Sequence, residues 1–532
     1  MASALHRNRR TLLKAGAGAI VAPVAHGLLT TRAFANNPAA PRPFLVPPSA
    51  RQAAAHASPS PMATPALETI TPTDKRYADL VVGTNSRWVG TPAWVSLCAT
   101  PDEVVQALTQ ARADGKRVTV RSGGHCYEDF VMDNPDGVLI DLSPMAEVWQ
   151  DTATGWWGVQ AGAMMGDIYL ALYHQGGVTL PGASCSTVGA GGHISGGGYG
   201  LLSRLQGLVV DYLRAVDLVY VNDKGAVETI TVSANSTDPD EQALLWAHQG
   251  GGGGNFGIVT AYYFGDLPKA PENQGSYSAT WDWKTLDRAS FGEIIANFGA
   301  FQKQHGGVDD AWGGLFSILI ASQQASSQIS LIALNADDAG DQEPLLALMK
   351  ALNLPQDASK ITMSAWIDTI EAGGPISRSR GKYKSAYMTD VFPEQQIDAM
   401  WQQLTSPSHV NPAGLLQIDS YGGKVNAVDP TATAVDARSS IMKLQYQCYW
   451  SDAADDDANL AWMREFYDAM YGANGPVVDG VMGGAYVNYP DVDLTNWSTL
   501  YYGRNYPRLQ EVKARWDPTD AFHHAQTIAL PG

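Results

Sequence analysis

The sequence predicts an α+β protein in two unlike halves, and three observations carry that reading. Short β-branched runs alternate with helical spacing from Trp94 to Val221, and the glycines between them crowd into a few loops. Those glycine runs stop near Leu267, where longer strands mixed with helices begin. Among them Met442, Leu444, Tyr446, Cys448 and Trp450 recur at every second position, the period of a sheet with a half-buried face. The second half therefore reads as an antiparallel sheet backed by helices, inserted ahead of a closing segment.

Taken in order, Trp94 to Cys98 reads as a strand. Thr100-Pro101-Asp102-Glu103 is a capping box with proline at the first helical position, and Val104, Val105, Leu108 and Ala111 follow on one helix face. Val118 to Val120 closes a strand–helix–strand unit. Further strands fit Gly137 to Leu142, Trp157 to Gly162 and Ala215 to Val221, with a helix over Met165 to Gln175. In the second half Leu315 to Ala321, Ile329 to Leu334, Leu415 to Tyr421 and Ile441 to Trp450 read as strands. Ile397, Met400, Trp401 and Leu404 share a helix face, and Asp455-Asp456-Asp457 opens a helix whose N-terminus suits acids.

Formal net charge is −18, which disfavours binding to nucleic acid or an anionic membrane surface. Four cysteines (Cys98, Cys126, Cys185, Cys448) are no disulfide framework for 532 residues. Residues 1–35 read as a twin-arginine export signal. Arg9 and Arg10 precede a short apolar core, and Ala33-Phe34-Ala35 gives a small-x-small cleavage site. Residues 36–75, rich in Ala, Pro and Ser, read as a flexible linker, with folding signals beginning near Arg76.

The chemistry concentrates in two glycine-rich stretches. Arg121-Ser122-Gly123-Gly124-His125-Cys126 follows the Val118 strand, so its free N–H groups can form a nest for a phosphate or pyrophosphate while His125 presents a nucleophilic imidazole. Leu180 to Gly200 (LPGASCSTVGAGGHISGGGYG) adds Cys185 and eight glycines. It lacks the third glycine, the strand-to-helix turn and the ribose-binding acid of a nicotinamide site, which is rejected. No GxxxxGK loop and no HExxH pair occurs, and no metal site is expected; His523-His524 reads as solvated surface. The run Gly250 to Gly254 reads as main chain lying along an extended ligand, with a hinge as the alternative.

Together the two stretches resemble the flavin-linking signature of the berberine-bridge-enzyme-like oxidases, within the vanillyl-alcohol-oxidase-type flavoproteins. Val512 to Phe522 resembles that family's C-terminal signature. The resemblance implies a two-part FAD-binding domain, residues 76–266 joined by a returning segment at 486–532, with a substrate domain at 267–485. It implies FAD bonded through its 8α-methyl carbon to His125 and through C6 to Cys185. It extends flavin contact to Arg121, Ser122, Gly123, Gly124 and Cys126 in the first loop, where many members carry Asp or Asn in place of Cys126. From the second stretch come Val188, Gly189, Gly192, His193 and Gly198, and from later segments Gly257, Ile258, Tyr502 and Asn505. Val188 matches a gatekeeper position where valine favours oxygen access. Tyr489 in Asn-Tyr-Pro-Asp matches the catalytic tyrosine, and Tyr421 in Ser-Tyr-Gly-Gly is a second candidate base.

The implied activity is oxidation of a sugar hydroxyl, of a glycosylated natural product or an oligosaccharide, with O2 as acceptor and a small molecule or glycoside as the partner. Amine or alkaloid-like oxidation with cyclisation and flavin-bearing ligand binding without turnover are the alternatives. A phenol of ordinary pKa about 10 needs a cation, a second phenol or concerted transfer to act as base.

Overall fold

In the computed structural model the described residues are 67–371 and 377–532; the expected export signal and most of the expected linker lie outside them. The fold begins earlier than Arg76. Glu68–Ile70 (β1) pairs antiparallel with Trp94–Leu97 (β2), because Ile70 is drawn under Val95 and Leu139 in a small apolar cluster. Val118–Arg121 (β3) and Val138–Asp141 (β4) complete a four-stranded sheet of order β1-β2-β4-β3, with β4 parallel to both β2 and β3. The connecting helix Pro101–Ala113 starts at the expected capping box: Thr100 accepts from the Glu103 N–H, and Glu103 accepts from the Thr100 N–H. Its Val104, Ala107, Leu108 and Ala111 are buried.

A second sheet takes Val148–Gln150 (β5), Trp157–Gln160 (β6), Leu213–Val221 (β7), Val227–Ser233 (β8) and Ile258–Phe264 (β9) in the order β5-β6-β9-β7-β8. Between β6 and β7 lie the helix Met165–Gly176 and the cysteine stretch. The third sheet is wholly antiparallel and seven-stranded: Asn273–Asp282 (β10), Leu315–Ser322 (β11), Gln328–Ala336 (β12), Thr362–Ala365 (β13), Arg380–Met388 (β14), Gly414–Ser420 (β15) and Met442–Trp450 (β16). Its order is β13-β10-β12-β11-β15-β16-β14.

Strand β16 departs from the expected half-buried face, since all nine of its residues are buried. Met442, Leu444, Tyr446, Cys448 and Trp450 pack in the main core with the helix Asp456–Tyr471. The opposite face carries Lys443, Gln445, Gln447 and Tyr449, and it is covered by the first half and the closing segment, whose Tyr199 and Tyr486 join Tyr449 in a separate cluster. A sheet roofed on both sides has no solvent face, so its polar residues must pair internally.

The closing helix Tyr506–Trp516 returns to the first half. Lys513, wholly buried, donates to the Asn255 carbonyl at 2.8 Å and to Phe522 at 2.7 Å, and pairs with Asp517 at 2.7 Å. All four cysteines are unpaired. Among the described residues no helix is long and apolar enough to cross a membrane, and no group of three or more His, Cys, Asp or Glu could hold a metal.

Candidate active site

A cavity of about 340 Å³ runs between the halves, walled by the loop after β3, the cysteine stretch, the five-glycine run, one face of β16 and the closing segment. Two loops meet at its centre, and only glycine permits the meeting. A Cβ on Gly123 would stand 2.3 Å from the Gly189 nitrogen, and one on Gly189 would stand 2.2 Å from the Gly123 nitrogen. Ser122 fastens the same junction, donating to the Ala161 carbonyl at 2.6 Å and accepting from the Gly191 N–H at 3.3 Å. Arg121 pairs with Asp141 at 3.5 Å and bonds the Leu80 carbonyl.

This packing places His125 and Cys185 on one wall. His125 Nε2 lies 3.1 Å and Cys185 Sγ 3.3 Å from the same Thr187 hydroxyl. Burial lowers the His125 imidazole to about 4, so at neutral pH it is an uncharged nucleophile. Burial pushes the Cys126 thiol up to about 12. Gly124, Val188, Gly192, His193, Gly257, Ile258 and Tyr502 also line the cavity, and Tyr502 donates to the Gly251 carbonyl at 2.9 Å. His193 is buried with no partner for Nε2, and burial lowers it to about 4, with Lys443 and His125 adding to the effect.

Three of the expected site residues lie outside the cavity lining. Gly198 is turned away from the cavity, at φ +74° with Val209 2.5 Å from where its Cβ would stand. Asn505 is spent on the Pro430 and Thr433 carbonyls, at 2.7 and 3.3 Å, tying down the loop before β16. Tyr421 is fully buried behind Tyr199, ring centroids 5.2 Å apart, and its hydroxyl donates to the Ala437 carbonyl at 3.1 Å. None of the three lines the cavity. Of the expected surface pair, His523 is exposed, whereas His524 is half-buried and stacks on Phe130 at 4.8 Å, where desolvation lowers it to about 4; both line the cavity.

Tyr489 stands across the cavity. Its phenol oxygen is 3.0 Å from Lys443 Nζ, and Lys443 is wholly buried and paired with Asp419 at 3.0 Å. The same ammonium lies 4.6 Å from the centre of the Tyr199 ring and 4.3 Å from that of Tyr489. Burial first, then the Asp419 carboxylate, holds the Tyr489 phenol well above its usual range. A cation at hydrogen-bond distance favours the ionised phenol, and Lys443 Nζ stands at that distance. Its signal lay in the polar alternation Lys443-Gln445-Gln447 inside β16, where Gln445 also donates to Tyr127 at 2.9 Å.

A buried ionic clasp fixes these parts. Lys382 meets Glu128, three residues past His125, at 2.5 Å, and Asp491, two past Tyr489, at 2.7 Å; Lys384 reaches Asp491 at 2.7 Å. Asn85, also buried, donates to the Tyr127 carbonyl at 2.6 Å and the Gly381 carbonyl at 3.1 Å. The first loop, strand β14 and the closing segment are thereby held in register.

Such a site, a glycine-lined trough with a neutral histidine, a thiol and a phenol–ammonium pair, belongs to a flavin-dependent oxidoreductase. An FAD-binding domain model matches residues 92–231, and a model described as berberine and berberine like matches residues 485–529. Over 499 residues the chain is 40% identical to aclacinomycin-N/aclacinomycin-A oxidase of Streptomyces galilaeus, covering 88% of this chain and 90% of that one. Hexose oxidase of Chondrus crispus is 35% identical over 513 residues, covering 86% and 93%. The crystal structure of glycopeptide hexose oxidase DBV29 complexed with teicoplanin matches with a TM-score of 0.81 at 36% identity, covering 87% of this chain and 99% of that one. The chain belongs to the berberine-bridge-enzyme-like family of FAD-linked oxidoreductases, with the two-domain vanillyl-alcohol-oxidase-type fold, and it is an FAD-dependent oxidoreductase.

The residues present fit FAD. Gly192 and Gly253 turn bare α-carbons to the cavity, where a Cβ would meet nothing within 4 Å, so a side chain at either would take up ligand space. His193 Nε2 supplies a buried polar atom in want of a partner.

Proposed function

We propose that the protein oxidises a hydroxyl of a sugar, carried on a glycosylated natural product or an oligosaccharide, and passes the electrons to O2 as hydrogen peroxide. In this reading FAD is bonded to both His125 and Cys185. The observation that carries it is Tyr489, bonded to the buried Lys443, lining the same cavity as His125 and Cys185. The relatives named hexose oxidase and glycopeptide hexose oxidase support the substrate class.

When bound, FAD accepts the hydride from the alcohol carbon and delivers two electrons to O2. The chain supplies the rest. Tyr489 receives the hydroxyl proton, and Lys443 balances the phenolate charge that makes this possible. Tyr127, stacked on Tyr383 with ring centroids 3.8 Å apart, offers a rigid aromatic wall beside Tyr489. Val188 leaves a small space for O2. Export through the signal at residues 1–35, after folding around FAD, completes the proposal.

A screen of glycosides and oligosaccharides for peroxide release tests the substrate class; turnover confined to amines would refute it. Acid precipitation tests attachment. Flavin should stay with the protein in His125→Ala and in Cys185→Ala and leave only in the double variant. Free FAD from the parent protein would end the two-bond reading.

A further inference from the structure

We propose that Thr187 couples the two attachment residues: its hydroxyl relays the Cys185 thiol proton to His125 and readies the sulfur to form its bond. The inference rests on the reading of His125 and Cys185 as the two points of flavin attachment.

Both residues line the cavity, whereas Thr187 stands behind them, its Oγ1 3.1 Å from His125 Nε2 and 3.3 Å from Cys185 Sγ. A hydroxyl carries one proton and two lone pairs. In the arrangement proposed, Sγ–H donates to Oγ1 and Oγ1–H donates to a bare Nε2. That arrangement needs an uncharged imidazole, which burial provides. It describes the ring once Nδ1 carries the histidine's own bond to flavin, since a neutral imidazole with a bare Nε2 otherwise keeps its hydrogen on Nδ1.

The turn is built to hold this alignment. The Val188 N–H returns to the Cys185 carbonyl at 3.4 Å. Met165 and Gly166, at the start of a helix, donate to the Val188 and Ser186 carbonyls at 2.9 Å each. The histidine loop closes on it only because residue 123 is glycine: a Cβ there would stand 3.1 Å from the Thr187 carbonyl and 2.3 Å from the Gly189 nitrogen.

The step balances. As the S–C6 bond forms, two proton jumps, Sγ to Oγ1 and Oγ1 to Nε2, carry the thiol proton to the imidazole with total charge unchanged, so the sulfur reacts with thiolate character while no buried ion pair has to persist. Forming the S–C6 bond brings a sulfur electron pair into the ring system and releases the C6 hydrogen as a proton. Dioxygen takes up the two electrons, with that proton and the one from His125, and leaves as hydrogen peroxide. Thr187 never touches the reacting carbon, so it is a positioning residue.

The test compares parent holoprotein with Thr187→Val, Thr187→Ala and Thr187→Ser. Each is denatured in acid, alkylated with iodoacetamide and digested, and mass spectrometry reads the flavin on each peptide and the alkylated fraction of Cys185. Parent and Thr187→Ser should show Cys185 closed to alkylation. The valine and alanine variants should hold flavin through His125 but leave Cys185 largely alkylatable at harvest. In aerated buffer their second bond should then close over time, its rate rising roughly tenfold per pH unit as thiolate is supplied by solution base. A fully closed Cys185 in both hydroxyl-free variants, or a loss that serine does not restore, overturns the relay. Free FAD released from the parent marks instead the failure of the attachment reading itself.

Discussion

Replacing Tyr489 with phenylalanine removes one oxygen and leaves its surroundings in place. Lys443 loses a partner at 3.0 Å but keeps Asp419 at 3.0 Å and the Tyr199 ring at 4.6 Å. One hydrogen bond to a charged donor is worth about 1.5–3 kcal/mol, so the variant should fold and retain its flavin. The catalytic cost is larger. Loss of a positioned general base slows the chemical step by about 10²–10⁴-fold, or about 3–5 kcal/mol of barrier.

The pH dependence sharpens this. Burial and Asp419 hold the Tyr489 phenol above its ordinary value, so the phenolate is a minor form at neutral pH. A base scarce at neutral pH becomes more abundant as pH rises, and the parent's rate of flavin reduction should climb with pH by up to about tenfold per unit. Anaerobic stopped-flow reduction with a peroxide-yielding sugar reads both quantities. Tyr489→Phe should lose the rate and the basic limb together. Reduction at parental speed, or an unchanged basic limb, would refute the assignment. Tyr421→Phe should leave the rate near the parent's, since that hydroxyl faces the Ala437 carbonyl and not the cavity.

Four further outcomes are expected. Val188→Leu should slow reoxidation of reduced flavin by O2 without slowing reduction, and equal reoxidation rates in stopped flow would mean that oxygen takes another route. Lys382→Met leaves the buried Glu128 and Asp491 short of a cation and should destabilise by about 3–5 kcal/mol, lowering the melting temperature. His193, His248 and His524 are each lowered to about 4 by burial, so the unfolded chain binds more protons between there and the ordinary 6.5. Stability from them is present above about pH 6.5 and lost as pH falls toward 4, visible as a falling melting temperature, and a flat profile would contradict it. Arg9→Lys with Arg10→Lys should retain flavin-loaded precursor inside the cell, as fractionation would show; these residues lie outside the described structure.

The local elements were legible because their signals are local. The capping box at Thr100, the strand runs and the glycine loops each state their own backbone geometry, and the loops at His125 and Cys185 carry chemistry within a few residues of chain. What escaped depends on which face is covered. The alternation in β16 showed two faces but not that both would be roofed, so nothing in it marked Lys443 as a cation beside Tyr489. Tyr421 lies off the cavity for the converse reason. Its motif placed it correctly at the end of β15, yet Tyr199, more than two hundred residues earlier in the chain, stands between it and the cavity. Lys443 and Tyr489 meet only because the closing segment crosses back over the sheet, and Lys382 holds that crossing through Asp491, two residues from the phenol. The Tyr489–Lys443 pair is therefore a property of the assembled halves: the clasp that fixes the interface also sets where the proposed proton acceptor stands.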